Sequence, residues 1–460
     1  MRLLGAILAT TLMVTLAPTA SAAEGPTVTG PVTGGRLGIP FNSWPTPLGS
    51  AGYTEQEYFF GGTATGYQQS GTWTGDGRWA ATPAGQAPYE TRMLVRRPTD
   101  PAKFNGTVVV EWLNVTAGVD LDVDFEYANE ELLRAGYAWV GISAQINGVA
   151  ALKAIDPARY QGLSHPGDGF SYDIFSQAAQ ALRHPQGVDP LPGLKPKALI
   201  ADGESQSANR MVTYANAIEP LRHDYDGFLI HSRLPAGAPI NPTQPSPTTW
   251  TRTDSTVPVL TVETETDVLA PLNYLPAAQP DNPRFRLWEI PGTSHVDAHQ
   301  KALALAEVKP FLPSPPEAQC VLPSNDGQER YVMDTAVARL NTWVRYGIAP
   351  PTADRMTIAG APPAMARDQY GNVEGGIRTP ALQAPTATLT GTGNSGTTPA
   401  SDFQCSLSGT TTPFTPEQLA QLYPTHADYV AAVARAAGQD VLRGFLLPAD
   451  AAEIVGDAVH

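Results

Sequence analysis

The sequence predicts an α/β fold with a mostly parallel, doubly wound central sheet, helices on both faces of that sheet, and loop or cap insertions. Segments of strand type alternate with segments of helical periodicity through the middle of the chain, which is typical of this class. The strand segments are short and apolar, as expected for strands buried on both faces. Polar side chains follow several of these strands directly, where open α/β sheets form their sites.

The predicted elements follow one another without a separate linker. Two antiparallel strands (53–60 and 89–97) precede the sheet. Then come strands at 107–112 and 138–144, helices at 125–134 and 171–182, and an irregular stretch at 147–169 that could form a lid or pocket wall. The later elements are strands at 198–201, 227–231, 257–262 and 284–290, a Pro- and Thr-rich insertion at 234–254, and helices at 329–347 and within 416–437.

The segment around Ser205 fits the turn that presents a nucleophilic serine. Gly203-Glu204-Ser205-Gln206-Ser207 matches G-x-S-x-G at four of five positions, with Ser207 in place of the second glycine. A predicted strand precedes it and a helical pattern follows, which is the context that the motif requires. The string alone also occurs in ordinary helix caps, so the interpretation depends on partners elsewhere in the chain.

Candidate partners follow two later strands. Asp267 lies just past strand 257–262 and is the predicted triad acid, with Glu265 as the alternative; both could instead be solvated loop acids. His295 follows strand 284–290 and is the predicted general base, with His299 as the alternative. The order Ser205, Asp267, His295 is nucleophile, acid, base, which is the order found in α/β-hydrolases.

The loop after strand 107–112 is the predicted source of an oxyanion-hole donor. We expect a backbone N–H of Asn114 or Val115 to act with the backbone N–H of Gln206, which directly follows the serine. An ordinary strand-to-helix loop is the alternative interpretation of this segment.

Several acids near residue 120 suggest calcium at first sight. Asp120, Asp122 and Asp124 have alternate spacing, and Glu131 stands at the twelfth place of a calcium loop. The sixth place is Phe125, however, where such a loop needs glycine. Carboxylates that face the dipole of the following helix are the favoured interpretation.

Longer stretches resemble one bacterial family. They are EWLNVTAGVD, GYAWVGISAQ, GESQSANR, VPVLTVETETDV, IPGTSHVDAH, LNTWVRYGIAPP and DQYGNVEGGIRTPALQAPTATLTG, which together span residues 111–391. The chain is similar here to exported bacterial proteins called alpha/beta hydrolase domain-containing proteins. This resemblance implies the α/β-hydrolase fold and esterase activity. Ser205 matches the family's elbow serine and His295 its late histidine, whereas Glu265 and Asp267 both lie in a matching stretch.

Composition and processing signals limit the possible partners and compartment. The net charge of −15 disfavours nucleic acid and anionic membranes, and it indicates a solvated acidic surface. Residues 1–22 have the charged start, apolar stretch and Ala20-Ser21-Ala22 site of a signal peptide, so we expect a secreted protein without a membrane span in its mature chain. For an exported protein, the two cysteines, Cys320 and Cys405, predict a disulfide.

We expect a single domain at 23–460, in which a C-terminal extension from about residue 348 packs on the hydrolase fold. Arg378 in that extension could hold an anionic group of a substrate, but bonding of backbone carbonyls in its own loop is favoured.

The predicted function is hydrolysis of a small-molecule carboxylic ester through an acyl-enzyme on Ser205, with no cofactor and no metal. The same triad would also serve an acyltransferase, an amidase or a peptidase. From another class, a binding protein on a catalytically dead hydrolase fold is the alternative.

Overall fold

The structure is a computed structural model that describes residues 25–241, 243–313 and 318–460. The predicted signal peptide, residues 1–22, lies outside the described residues. The strands are β1 (Thr27–Thr29), β2 (Tyr53–Ser70), β3 (Ala80–Pro98), β4 (Thr107–Trp112), β5 (Ala138–Ile142), β6 (Gln186–Gly187), β7 (Ala198–Glu204), β8 (Gly227–His231), β9 (Val259–Thr264), β10 (Phe285–Ile290), β11 (Ile358–Ala359), β12 (Ala364–Met365), β13 (Ala387–Thr390) and β14 (Thr410–Pro413).

The helices connect these strands and form most of the last third of the chain. They are α1 (Val123–Arg134), α2 (Ile146–Ile155), α3 (Pro157–Tyr160), α4 (Ser171–Arg183), α5 (Gln206–Thr213), α6 (Glu219–Arg222), α7 (Glu265–Val268), α8 (Ala298–Val308), α9 (Glu329–Tyr346), α10 (Pro380–Gln383), α11 (Pro399–Ser406), α12 (Pro416–Leu422), α13 (His426–Arg443) and α14 (Pro448–Val459). A π-helical turn, Tyr214–Ile218, joins α5 to α6. None of the helices in the described ranges has the length and apolar character needed to cross a bilayer.

Within the described residues, ten strands form the main sheet, in the order β10-β9-β8-β7-β4-β5-β3-β2-β1-β6. The six strands from β10 to β5 are mutually parallel, and β3, β2 and β1 continue the sheet with antiparallel pairing. The next strand in sequence, β5, pairs with one edge of β4, and the later strand β7 pairs with its other edge. The carboxyl ends of β4 and β7 therefore form a switch point, where open sheets bind ligands. The predicted fold class is confirmed.

Alternate side chains of the parallel strands pack into two cores. On one face, residues such as Val108, Leu199 and Phe228 pack with helices α4 and α5. On the other face, residues such as Val109, Ile200 and Leu229 pack with helices α1 and α9. Because the buried strands have apolar residues on both sides, their sequences show continuous apolar runs instead of alternation.

The C-terminal residues cover one edge of this sheet. The backbone N–H of Ile377 donates to the carbonyl of Glu289 on β10, and Phe445 packs edge-on against Trp288 with ring centroids 5.3 Å apart. The predicted disulfide between Cys320 and Cys405 is present, and Cys405 lies on α11. The Thr266 hydroxyl donates to the carbonyl of Gly391, next to β13, and the N–H of Val296 donates to the carbonyl of Leu407, next to α11. This part of the chain therefore lies beside the loops that follow β9 and β10.

Several predicted segments differ from the structure. Strands β2 and β3 extend well beyond the predicted strands at 53–60 and 89–97. The stretch 147–169, expected to be irregular, contains helices α2 and α3. The single helical pattern within 416–437 is divided into α12 and α13. Pro424 follows α12 and removes a backbone donor, and Thr425 then caps α13 by accepting a hydrogen bond from the N–H of Asp428.

Candidate active site

Ser205 lies at the sharp turn between β7 and α5. Its backbone has φ 56° and ψ −115°, a conformation with positive φ that non-glycine residues rarely adopt. A Cβ atom at Gly203 would lie 3.1 Å from Ser207, so the turn requires small residues on both sides of the serine. This steric requirement explains why Gly203 and Ser207 stand where the sequence motif needs them.

His295 connects Ser205 to Asp267 through two hydrogen bonds. The Nε2 atom of His295 lies 2.9 Å from Ser205 Oγ, and its Nδ1 atom lies 2.8 Å from Asp267 Oδ1. The other carboxylate oxygen of Asp267 accepts hydrogen bonds from the Ser232 hydroxyl and from the backbone and side chain of Thr264. Burial opposes ionisation of Asp267, but His295 and these donors lower its pKa below the usual value. An ionised Asp267 thus fixes the Nδ1–H tautomer of the histidine.

Glu204, beside the serine, also reaches the histidine. Its Oε1 atom lies 3.2 Å from His295 Nε2, and its other oxygen accepts a hydrogen bond from the Asn114 side chain at 2.8 Å. Burial raises the pKa of Glu204 to about 7. Burial favours neutral His295, but the carboxylates of Glu204 and Asp267 outweigh that effect and raise the histidine pKa. The protonation of Glu204 and that of His295 are therefore coupled.

The predicted oxyanion donors are only partly available. Gln206 is the first residue of α5, where a backbone N–H has no partner within the helix. The N–H of Val115 likewise donates to no residue in the described ranges. The N–H of Asn114 donates to the carbonyl of Leu121 at 2.9 Å, so the prediction of Asn114 as a backbone donor is wrong. The side chain of Asn114 instead donates a hydrogen bond to the Glu204 carboxylate.

A family model described as an alpha/beta hydrolase domain matches residues 28–456. The chain belongs to this alpha/beta hydrolase family. None of the curated proteins matches it.

Solved structures similar to this alpha/beta hydrolase include three esterase-like proteins. A serine hydrolase without a lid from Xanthomonas campestris is 16% identical, with a TM-score of 0.29 over 55% of this chain and 97% of its own. A fungal esterase from Rhizomucor miehei is 12% identical, with a TM-score of 0.33 over 62% and 84%. The ferulic acid-bound Est1E from Butyrivibrio proteoclasticus is 14% identical, with a TM-score of 0.29 over 49% and 95%. Similarities of this size support no finer conclusion.

In this hydrolase, the C-terminal strands brace the loops that carry Asp267 and His295. Thr266 accepts a hydrogen bond from the His295 backbone at 3.2 Å and donates its own hydroxyl to the carbonyl of Gly391 at 2.5 Å. The side chain of Asn325 donates to the carbonyls of Gly292 and Thr390, each at 3.1 Å. The positions of both loops therefore depend on contacts with residues that are distant in the sequence.

The alternative site residues have other partners. Glu265 accepts a hydrogen bond from the Gly292 backbone and pairs with Arg367 at 2.6 Å. Arg378 donates to the carbonyls of Val373 and Leu382 and pairs with Asp368, so its favoured interpretation as a loop-fixing residue is confirmed. The alternative base, His299, lies within α8, and the hydrogen bonds to Ser205 and Asp267 are made by His295.

Sequence reasoning missed three contributors to the site. Ser232 directly follows β8, and Thr264 ends β9, so both occupy strand ends where polar residues could have been singled out. Glu204 is visible in the sequence only as the variable residue of the elbow motif. Its contact with His295 depends on the direction of a side chain that no sequence pattern encodes.

A crevice of about 480 Å³ lies beside α5. Its walls include residues 166–170, Arg210, Pro239 and Ile240. The predicted wall-forming stretch therefore does line a crevice, together with part of the insertion at 234–254. Asp168 and Arg210 form an ion pair of 3.0 Å at this place.

The acidic residues with the spacing of a calcium loop have separate partners. Asp120 binds Arg92 at 3.1 Å, Asp122 binds Arg96, and Asp124 binds the His231 ring at 2.8 Å. The start of α1 is capped by Glu111, which accepts hydrogen bonds from the first N–H groups of that helix. A linear loop of the EF-hand type is therefore absent from these residues. Asp122 directly precedes α1 and Asp124 lies in its first turn, which agrees with the favoured interpretation, and both also have the partners given above.

Proposed function

We propose that this alpha/beta hydrolase is an exported serine esterase that acts on small-molecule carboxylic esters. The proposal rests on one observation: Ser205, His295 and Asp267 form a continuous chain of hydrogen bonds at the carboxyl ends of three parallel strands. Export is proposed from residues 1–22, whose sequence has the features of a signal peptide.

The chemistry follows from the direction of these hydrogen bonds. Ser205 Oγ attacks the acyl carbon while its proton passes to His295 Nε2, and the N–H groups of Gln206 and Val115 stabilise the oxyanion. When the C–O bond breaks, His295 donates that proton to the leaving alcohol. Water then attacks the acyl-enzyme with His295 as base, and the acid product and free Ser205 are released. Asp267 stays ionised throughout and supports the imidazolium.

The test is covalent labelling with a fluorophosphonate probe alongside hydrolysis of a series of p-nitrophenyl esters. We expect labelling and hydrolysis by the wild type and neither by Ser205→Ala. Asp267→Asn should slow labelling by roughly 10²-fold or more because the imidazolium loses its partner. The matched control is Glu265→Gln, which changes a nearby acid that does not contact His295 and should label at close to the wild-type rate.

Two results would refute this assignment. One is folded wild-type protein that neither reacts with the probe nor hydrolyses any ester of the series. The other is labelling that persists in Ser205→Ala at the wild-type rate, since the nucleophile would then be another residue.

A further inference from the structure

Three buried carboxylates meet between α1 and α8, away from the triad. Asp122 immediately precedes α1, Glu126 lies in its first turn, and Glu307 lies near the end of α8. Each offers an oxygen, and these oxygens lie within 4.8 Å of one another. All three residues are fully buried. We call this group the α1–α8 cluster.

The α1–α8 cluster has little positive charge to balance it. Arg96 contacts Asp122 and lies 3.8 Å from Glu307, but it also binds Glu55 at 2.9 Å. Glu126 has no ion pair with any residue in the described ranges. The single guanidinium group of Arg96 is therefore the positive charge nearest to several carboxylates. If the cluster were ionised, an excess of negative charge would remain buried.

Oxygen atoms of the cluster also lack hydrogen-bond donors. Neither carboxylate oxygen of Glu307 has a hydrogen-bond partner among the described residues, and neither does Oε1 of Glu126. Gln300 holds the other oxygen of Glu126 at 2.5 Å, which fixes that carboxylate in place. Fixed, buried and unpartnered oxygens of this kind need either protons or a cation.

A second acidic group shows the contrast. Glu130, Asp334 and Asp450 also come close together. Arg134 lies 2.8 Å from Asp450, and Arg330 pairs with Glu130. Arginine side chains thus pair with two of its three members, Asp450 and Glu130. In the α1–α8 cluster, by contrast, the nearest guanidinium nitrogen lies 3.8 Å from Glu307, and no arginine or lysine of the described chain pairs with Glu126.

We propose that Asp122, Glu126 and Glu307 bind a divalent cation that prefers oxygen ligands, such as Ca²⁺. All donors in the cluster are carboxylate oxygens, which suit Ca²⁺, Mg²⁺ or Mn²⁺ better than softer metals. A Ca²⁺ ion held at about 2.4 Å from each ligand spans oxygens up to about 4.8 Å apart. The ion would join the start of α1 to the end of α8, the helix that begins three residues after His295. This site is structural and does not depend on the proposed esterase activity.

The test combines metal analysis with binding and thermal unfolding of the whole purified protein. Metal content is measured by mass spectrometry before and after treatment with EDTA, and the stripped protein is titrated calorimetrically with CaCl₂, MgCl₂ and MnCl₂ to about 5 mM. We expect one equivalent of at least one ion to bind. Saturation with that ion should raise the unfolding temperature by roughly 3 °C or more.

Glu307→Gln distinguishes a cation site from a merely acidic cluster. It should abolish binding and the thermal gain, yet in EDTA it should unfold close to the wild-type temperature, because the amide has the shape of the carboxyl group and no hydrogen bond to the Glu307 oxygens is lost. Glu126→Gln is the second variant, with the same expectation. Glu130→Gln, in the second acidic group, is the matched control and should bind as the wild type does. The proposal is overturned if the wild type neither retains nor binds any of the three ions, or if Glu307→Gln and Glu126→Gln both bind as tightly as the wild type.

Discussion

At the scale of single residues, the contact between Glu204 and His295 has the largest expected effect on pH dependence. A general base must have an unprotonated Nε2 atom, and an ionised carboxylate 3.2 Å away stabilises the protonated form instead. The raised pKa of His295 therefore places the acid limb of activity above pH 6.5, the usual value for the ring. At the same time, Glu204 stabilises the imidazolium that forms during the reaction.

Glu204→Gln should shift the acid limb of the pH profile of activity. Removing the negative charge lowers the His295 pKa, so the acid limb of kcat/KM should shift to lower pH by roughly one unit. The plateau at high pH should fall about tenfold, because the less basic histidine is a weaker proton acceptor. Profiles of kcat/KM between about pH 5 and 9 measure both effects.

The matched control for this experiment is Glu263→Gln. Glu263 is also fully buried, and burial raises its pKa, but no residue of the described chain, His295 included, makes a hydrogen bond to its carboxylate oxygens. Its profile should overlay that of the wild type. An unmoved acid limb in Glu204→Gln would mean that Glu204 does not act through His295.

Single residues can be predicted from the sequence where they follow a strand. The sequence places Ser205, Asp267 and His295 after separate strands, and the structure brings their side chains together, because the carboxyl ends of neighbouring parallel strands meet in space. Whether the backbone N–H of Asn114 is free cannot be predicted in this way. It donates a hydrogen bond to Leu121 in an isolated β-bridge, and that bridge depends on the path of the loop. Residue types indicate what chemistry is possible, but hydrogen-bond partners depend on the folded geometry.

At the scale of elements, the segment before β14 holds both triad loops in place. A Cβ atom on Gly391 would lie 2.6 Å from the Thr266 backbone nitrogen and 2.6 Å from the Thr293 carbonyl oxygen. Gly391→Ala should therefore push these loops apart. We expect kcat to fall about tenfold or more, because displacements of about 1 Å already weaken catalysis, and the unfolding temperature to fall by a few degrees.

Gly438→Ala in α13 provides the control for that substitution. Gly438 is exposed within a helix, and a Cβ atom added there would meet open space, so alanine should keep kcat and leave stability equal or slightly higher. Wild-type kcat and unfolding temperature in Gly391→Ala would show that the C-terminal strands do not brace the triad.

Elements are predictable where periodicity is strong, and less so where glycine and proline interrupt it. Gly148 contributes to the expectation of an irregular stretch, yet it lies within α2. A Cβ atom there would lie 1.9 Å from Asp120, so the glycine allows close packing of the helix on a buried carboxylate. A glycine required for close contact cannot be distinguished from one required for a turn without the partner element.

At the scale of the whole molecule, the negative charge is distributed differently from the sequence-based expectation. A net charge of −15 indicates a solvated acidic surface, but many carboxylates are buried. Glu111, Asp202, Glu263 and Asp297 are among them, and burial raises the pKa of each. Composition gives the number of acids, whereas their burial depends on long-range packing that composition does not contain.

These buried acids predict that the protein loses stability as pH rises through neutrality. Burial raises the pKa of Glu204 to about 7, of Glu219 to about 8 and of Asp334 to about 9. Between about pH 4.5 and these values, the folded protein keeps protons that the unfolded chain has released. Stability is then greatest on the acid side of this window and declines as pH rises through each folded-state pKa. In EDTA, the unfolding temperature should be lower at about pH 8.5 than at about pH 5.5, by roughly 3 °C or more.

Asp334→Asn isolates one contribution to that decline. In the wild type, Asp334 accepts a hydrogen bond from the backbone N–H of Glu131 at 3.0 Å. The side-chain amide oxygen of the variant can still accept this bond, but the amide has no proton to release as the pH rises. The difference in unfolding temperature between the two pH values should therefore shrink in this variant. Calorimetric scans at a fixed rate provide the measurement. An unfolding temperature that stays constant or rises toward pH 8.5 in the wild type would mean that the buried carboxylates are ionised and compensated in the folded protein, because only retained protons make stability fall with pH.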